Sequence, residues 1–268
     1  MRSDTRVRVK EFMLSFAEDV LERRRRQVDE FVRRALAKYP FHIIFFPLRY
    51  VVISGLERSI TAAVGMGFYT GIAKIIAEER FNDVRQEYTM RIEIDEGMVH
   101  KVDAVLDELD RGKRTPNLEQ ELNEIKSAST GKRVVVEITA DLYIGDFEYK
   151  GAECPLDIQF KTPWPKKEDC VRSKRRLMLF RLGKEGLGFV GFPYNPYTSR
   201  EEVWWTIKTL FDVDKECLFG RELWDLIGGT GTFDELVEIA REVSEEVRPL
   251  VEDLIREVER EVKKRGGW

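Results

Sequence analysis

Cysteine is scarce in this chain of 268 residues, with three in all, at Cys154, Cys170 and Cys217. The number is odd and no C-x-x-C spacing occurs. A disulfide framework and a zinc knuckle are therefore not expected, and a reducing cytoplasm suits the composition. Histidine is scarcer still. His42 and His100 stand far apart, so they build no H-E-x-x-H site and no nuclease motif that needs a catalytic histidine. Amides are also few, four Gln and four Asn against 35% charged residues, a balance that points to a thermophilic source. No long apolar run is present. The most hydrophobic stretch, from Phe41 to Leu56, contains His42, Pro47 and Arg49 and is too short to span a bilayer. The chain is charged from Arg2 onward and shows no secretory h-region, so no membrane partner is expected. Neither sign of charge dominates. With a net charge of −4, any nucleic-acid binding must come from local patches. Gly228-Gly229-Thr230-Gly231 lacks the following G-K-[S/T] of a P-loop, and no dinucleotide fingerprint or Ser/His/Asp triad is found.

What is present is enough apolar residue, 43%, to bury one large domain or a core with a helical extension. Helical spacing runs through residues 5–38, with a basic cluster at Arg23 to Arg26, and a second helical region covers about 48–81. Residues 98–111 and 117–128 read as short helices. From Lys132 the period changes: Val134, Val135, Val136 and Ile138 favour strand, and two strands are predicted at about 133–149 and 154–162. A helix over 167–182, a buried strand over 186–193 and helices over 201–211 and 221–227 follow. The last region, 232–265, opens on a Thr232/Glu235 capping box, and Pro249 should kink or split it. Leu236, Ala240, Val243, Val247, Leu250 and Leu254 approximate a 4-3 spacing there, which serves either a dimer seam or the helix's own core. The order predicts an α/β fold, a mixed central sheet flanked by helices with a helical N-terminal part. The expected divisions are a helical part over 1–130, a catalytic α/β core over 131–230 and C-terminal helices over 231–268.

The chemistry concentrates in Ala140-Asp141-Leu142-Tyr143-Ile144 and Asp157-Ile158-Gln159-Phe160-Lys161. If the hairpin turn centres on Gly151, Asp141 falls directly opposite Lys161. Asp157, Gln159 and Lys161 then share one strand face. A carboxylate beside an amide oxygen can hold a hard cation such as Mg2+. The cation neutralises a scissile phosphate and acidifies a bound water, while a lysine orients that water. Asp141, Gln159 and Lys161 are therefore the candidate catalytic residues. Asp141 and Gln159 are candidate metal ligands, and Glu137, of the same strand parity as Asp141, is a candidate third ligand. Read on spacing alone, the same residues equally suit a half-buried Asp–Lys pair on a sheet. Downstream lies a basic stretch with Lys166, Lys167, Arg172, Lys174, Arg175, Arg176 and Arg181, a local patch fit for DNA phosphates. Lys166, Lys167, Lys174 and Arg175 are the candidate DNA contacts within it, and Asn195 is a candidate base reader. Trp164, Tyr194, Tyr197, Trp204 and Trp205 serve either base stacking or the core.

These blocks resemble the TdeIII group of type II restriction endonucleases, within the PD-(D/E)xK nucleases. The resemblance rests on ADLYI, the Q-x-K strand, T-P-x-P-K, Tyr194-Asn195-Pro196-Tyr197, and the stretch from Gly220 to Leu236, and it spans roughly 50–245. It implies a homodimer that cuts double-stranded DNA at a short palindromic site of the GGNCC kind with Mg2+, alongside a cognate DNA methyltransferase. Gln159 stands where the acid of the motif is usual, as in Mrr-like nucleases. Tyr69-Thr70-Gly71 stands where many relatives place a helical carboxylate. Glu78, Glu79 or Glu137 would have to replace that acid. Two other readings stay open: a structure-specific repair or junction nuclease, and a catalytically degenerate DNA-binding protein of the same fold.

Overall fold

In the computed structural model, which describes residues 1–265, the chain runs through α1 (Ser3–Arg26), α2 (Val28–Lys38), α3 (Leu48–Ala63) and α4 (Met66–Ala77). Then come β1 (Val84–Asp95), α5 (Glu96–Asp110), α6 (Leu118–Ser127), β2 (Arg133–Ile144), the short pair β3 (Glu148–Tyr149) and β4 (Ala152–Glu153), and β5 (Leu156–Phe160). α7 (Lys167–Gly183), β6 (Leu187–Phe192), α8 (Trp205–Leu210), α9 (Val213–Glu216), β7 (Cys217–Phe219), α10 (Arg221–Gly228) and α11 (Thr232–Lys264) complete it. Contacts divide the chain into two compact units, Tyr69–Asp234 and Arg2–Phe68 together with the chain from Glu235.

The Tyr69–Asp234 unit is built on a mixed five-stranded sheet in the order β1-β2-β5-β6-β7. β1, β2 and β5 are antiparallel neighbours, and β5, β6 and β7 run parallel. α7 connects β5 to β6 and packs across the sheet with α5 and α8, burying Leu177, Leu179 and Phe180 among Val102, Ile92 and Ile138. The opposite face receives α10: a Cβ on Gly191 would meet Leu223 and Ile158, and Phe160 lies against Trp224. The start of β2 is tied to the end of β1 by Asp95. Its carboxylate caps α5 through Gly97 and Met98 N–H groups and also accepts from Ser129, Thr130 and Gly131. The Thr130 N–H above all holds this carboxyl well below the usual range. Gly97 must be glycine, since a Cβ there would meet the Ala128 carbonyl oxygen at 2.2 Å.

The other unit gathers α1, α2, α3 and the later turns of α11. Leu21, Val28, Val32, Leu48 and Val52 pack there with Leu254 and Val258. Val247 and Leu254 of the 4-3 pattern thus serve the helix's own core, while Leu250 stays 38% exposed. Arg6 and Lys10 of α1 pair with Glu242 and Glu246 of α11. Arg26 of the basic cluster pairs with Glu22 one turn back. Pro249 does not split α11, which continues through it; a proline removes one backbone hydrogen bond, and the packed core on the flanking turns holds the helix together. Leu48–Ala77 has the length and apolar composition of a membrane span, a test that core helices of soluble proteins also pass; its helix is broken at Val64 and Gly65.

The mixed sheet flanked by helices and the helical N-terminal region are as expected from the sequence. The divisions expected at 130/131 and 230/231 do not coincide with the contact boundaries at 68/69 and 234/235. β1 is the reason. It pairs with β2 from Val84 to Asp95, save at Glu87, and draws residues 84–95 into the sheet.

Candidate active site

The hairpin that carries the candidate residues turns at Lys150 and Gly151, both at positive φ (54° and 82°), the geometry of a tight two-residue turn. The observed register pairs Tyr143 with Asp157 and Leu142 with Ile158. That is two residues away from the register of a hairpin centred on Gly151: one because the turn is centred between Lys150 and Gly151, and one because three residues, 145–147, face two, 154–155, between the tip pair and the main strands. An even shift by itself keeps the paired residues of β2 and β5 on their expected faces. Asp141 and Lys161 do meet, with Nζ 3.9 Å from Oδ2. Asp141 Oδ2 also accepts the Phe160 N–H at 2.8 Å, and Lys161 Nζ donates to the Phe160 carbonyl at 2.8 Å.

Burial decides the electrostatics of this pair. It pushes the Asp141 carboxyl up, against the pull of Lys161 and the Phe160 N–H. It pushes the Lys161 ammonium down, against the pull of Asp141. Both shifts favour the uncharged forms, so the pair is desolvated more than it is satisfied. Gln159, on β5 two residues before Lys161, is fully buried. Its Nε2 donates to the Thr139 carbonyl at 2.9 Å and to Asp157 Oδ1 at 3.0 Å, and its Oε1 accepts from Arg176 Nη1 at 3.3 Å. Asp157 is also fully buried, its Oδ2 has no partner, and burial pushes its carboxyl up to about 7.

Two neighbours escaped the sequence reading. Arg176 of α7 had been counted only in the basic patch; here it bonds Gln159 and its charge bears on Asp141, Asp157 and Lys161. Glu87 of β1 is the other. Its φ is +49°, and the ladder skips from Gln86↔Leu142 to Tyr88↔Ala140, leaving the Glu87–Asp141 position unpaired. Alternation breaks there as well. The Tyr88 and Tyr143 rings touch at 5.1 Å although their register positions differ by three, an odd offset that a regular pleat places on opposite faces. The break re-aims the strands at Asp141, and the Glu87 charge bears on that carboxyl. A non-glycine residue with positive φ inside a strand was the signal, and no sequence pattern carries it.

The remaining candidates are not brought to this cluster. Glu137 is exposed and pairs with Arg91 at 2.9 Å. It lies four residues from Asp141, about 13 Å along the strand, and on the far side of the alternation break, so counting parity does not put it beside Asp141. Lys174 is not a surface residue: it is fully buried and pairs with Glu121 at 2.7 Å and Glu216 at 2.6 Å. Arg175 pairs with Asp103 and Lys167 with Asp110. The groove they line between α5 and α7 contains four acids and three bases, so it is no continuous track for phosphates. Lys166 is exposed at the start of α7. Asn195 is exposed, and its side-chain oxygen accepts the Tyr197 N–H at 3.0 Å within its own loop. Trp164, Tyr194, Trp204 and Trp205 are exposed, whereas Tyr197 packs edge-on against Phe219.

No group of three His, Cys, Asp or Glu among the described residues is spaced to hold a metal ion. An all-protein cage is thus absent there. Magnesium commonly takes one or two protein carboxylates and completes its shell with substrate phosphate and water. The oxygen donors here are hard, and both bonds to Asp141 use Oδ2, leaving Oδ1 outside them. The residues fit a cation of that type held jointly with substrate.

Residues 2–244 match the family described as type II restriction endonuclease, HinfI. The chain belongs to that family. It is therefore a restriction endodeoxyribonuclease, and its substrate is DNA. Among similar proteins are two type II restriction enzymes of Herpetosiphon aurantiacus. HgiBI is 28% identical over 89% of this chain and 93% of its own length. HgiCII is 27% identical over 76% of this chain and 77% of its own length. MjaII of Methanocaldococcus jannaschii is 23% identical over 77% of this chain and 62% of its own length. No solved structure matches.

Proposed function

We propose that this family member is a magnesium-dependent enzyme of the TdeIII kind that cuts double-stranded DNA as a homodimer at a palindromic site of the GGNCC type. It would work in the cytoplasm beside a cognate DNA methyltransferase, and the high charge content suits a thermophilic source. The observation that carries the reading is the placement of Asp141 on β2 and of Gln159 and Lys161 on and just past β5, neighbouring interior strands of the sheet: Lys161 Nζ lies 3.9 Å from Asp141 Oδ2, Asp141 accepts the Phe160 N–H between Gln159 and Lys161, and Gln159 is held by the Thr139 carbonyl. Asp141 and the Gln159 carboxamide oxygen would hold Mg2+. The chemistry it supplies is charge neutralisation at the scissile phosphate and acidification of a coordinated water.

The chain's own groups do the rest. Lys161, fixed through the Phe160 carbonyl, orients the attacking water and meets the charge that grows on the phosphate oxygens. Burial lowers its affinity for the proton, which brings it closer to proton exchange at neutral pH. Arg176 is placed to leave Gln159 for a phosphate oxygen, since a 3.3 Å bond is weak and a guanidinium binds phosphate well. Lys166 and the exposed Trp164, Tyr194 and Trp205 line the loops that follow β5 and β6 and serve the DNA surface. Asn195 serves there by shaping its loop.

The test is digestion of a plasmid that contains GGNCC with Mg2+ at elevated temperature, with Asp141→Ala alongside. Discrete fragments that vanish in the variant support site-specific cutting. Irregular cutting favours a structure-selective nuclease. Tight DNA binding without cutting, across metals and temperatures, favours a degenerate site.

A further inference from the structure

Gln159 occupies a position where its carboxamide could face either way, and its surroundings remove the choice. Both Nε2 hydrogens are committed, one to the Thr139 carbonyl at 2.9 Å and one to Asp157 Oδ1 at 3.0 Å. Gln159 and Asp157 are both fully buried. A flipped amide would set Oε1 against the Thr139 carbonyl oxygen, an acceptor with no proton to give, and would turn Nε2 away from the Asp157 oxygen that now receives it, with no water to intervene. Oε1 is therefore the one atom of the group directed at Arg176.

The geometry points to Asp157 as a positioning residue that, with the Thr139 carbonyl, locks the Gln159 amide so that its oxygen alone is offered to the divalent cation and the phosphate. Asp157 touches neither. This inference rests on the hydrolytic reading above. Filling space does not explain Asp157. A wholly buried carboxylate with one oxygen unpartnered is a costly way to pack a strand, and an apolar side chain would do so with less desolvation. What an apolar side chain cannot do is accept the Gln159 N–H. The lock explains how a D-x-Q-x-K strand can work without the usual acid: an amide oxygen held in one orientation is a usable ligand, whereas one free to rotate offers its NH2 half of the time.

The experiment compares the full chain with Asp157→Asn, which keeps an acceptor, and Asp157→Val, which does not. Mn2+ binding is measured by calorimetry with an uncleavable phosphorothioate duplex bound, and cleavage of ordinary DNA is followed in parallel. Asp157→Val should weaken Mn2+ binding about tenfold or more, in the range seen when support to a ligand is lost. Asp157→Asn should retain most of it and melt no lower than the wild type. Gln159 is one of four glutamines, so its side-chain amide can be assigned by NMR. Its protons should exchange slowly with solvent in the wild type and Asp157→Asn. Unimpaired Mn2+ binding by Asp157→Val, equal losses in the two variants, or fast exchange in the wild type would each overturn the inference. A wild type that neither binds Mn2+ nor cuts DNA would instead overturn the hydrolytic reading, and the inference with it.

Discussion

Replacing Lys174 with methionine should lower the melting temperature sharply and leave the grip on DNA phosphates unchanged. Lys174 Nζ lies 2.7 Å from Glu121 Oε2 and 2.6 Å from Glu216 Oε2, and all three side chains have no exposed surface. Glu121 also accepts the Asn117 N–H and Glu216 the Asp212 N–H, so the triad pins α6, α7 and α9 together. Methionine matches the length of lysine but strands two buried carboxylates. Removing one partner of a buried pair costs about 3–5 kcal/mol. In a protein of this size each kcal/mol moves the midpoint by about 2–4 °C, so a fall of about 6–20 °C is expected. The loss should shrink as pH falls, because burial already raises the Glu121 carboxyl, which can then take up a proton once Lys174 is gone. Circular dichroism gives the midpoint. DNA affinity, measured in Ca2+ across a salt series below that midpoint, gives the number of phosphate contacts. Its slope should be unaltered in Lys174→Met and reduced by about one in Lys166→Ala, whose side chain is exposed. A Lys174→Met protein with an unshifted midpoint and a slope reduced by one would refute the buried assignment.

Three further outcomes follow from the site. Asp141→Asn should fold normally and cut about a thousandfold more slowly, the equivalent of several kcal/mol of transition-state stabilisation; single-turnover cleavage at the wild-type rate would remove Asp141 from the chemistry. Glu87→Gly should stabilise the protein by about 1–2 kcal/mol, because it releases an L-residue from a left-handed backbone; a lower urea midpoint would contradict the strain. The metal-free protein should lose stability as pH rises from about 4 to about 7. The folded Asp157 keeps a proton over that window while the unfolded one releases it, so the contribution is whole below the unfolded value and gone above the folded one. Urea unfolding at a series of pH values checks this, and Asp157→Asn should flatten the profile.

The hairpin was legible because its signals are local. Gly151 marks the turn, β-branched residues mark β2, and period two places Asp157, Gln159 and Lys161 on one face. β1 was equally written in the chain, since Tyr88, Met90, Ile92 and Ile94 alternate with Thr89, Arg91 and Glu93, yet its charged positions disguise a strand that is buried on one side only. β7, with three residues, is too short for any periodicity to show. Glu137 lies apart from the cluster for a different reason. Parity counting assumes an unbroken pleat, and the break at Glu87 and Asp141 depends on a backbone angle that a glutamate side chain gives no hint of. The burial of Lys174 was not legible because whether a lysine is solvated depends on what packs over it, here Glu121 and Glu216, distant in sequence.

α7 shows the consequence for DNA recognition. Read as a string, Lys167, Arg172, Lys174, Arg175, Arg176 and Arg181 are a basic stripe. In place, Lys167 answers Asp110, Arg172 answers Asp169, Lys174 answers two buried glutamates and Arg175 answers Asp103. Arg181 donates to the Gly188 carbonyl, and Arg176 alone is turned to the candidate site. A helix whose cations are so committed holds the sheet together more than it attracts a polyanion. Phosphate attraction then has to come from elsewhere in the molecule, and the net charge of −4 leaves no general field to supply it. The loop beyond β5, with Lys166 and exposed Trp164, the loop beyond β6, with exposed Tyr194, and the start of α8, with exposed Trp205, are where this unit offers both charge and flat apolar surface. Substituting Trp164 and Trp205 with alanine should therefore weaken DNA binding more than substituting Lys167 and Arg175, and the reverse order would return the basic face of α7 to the role its composition suggests.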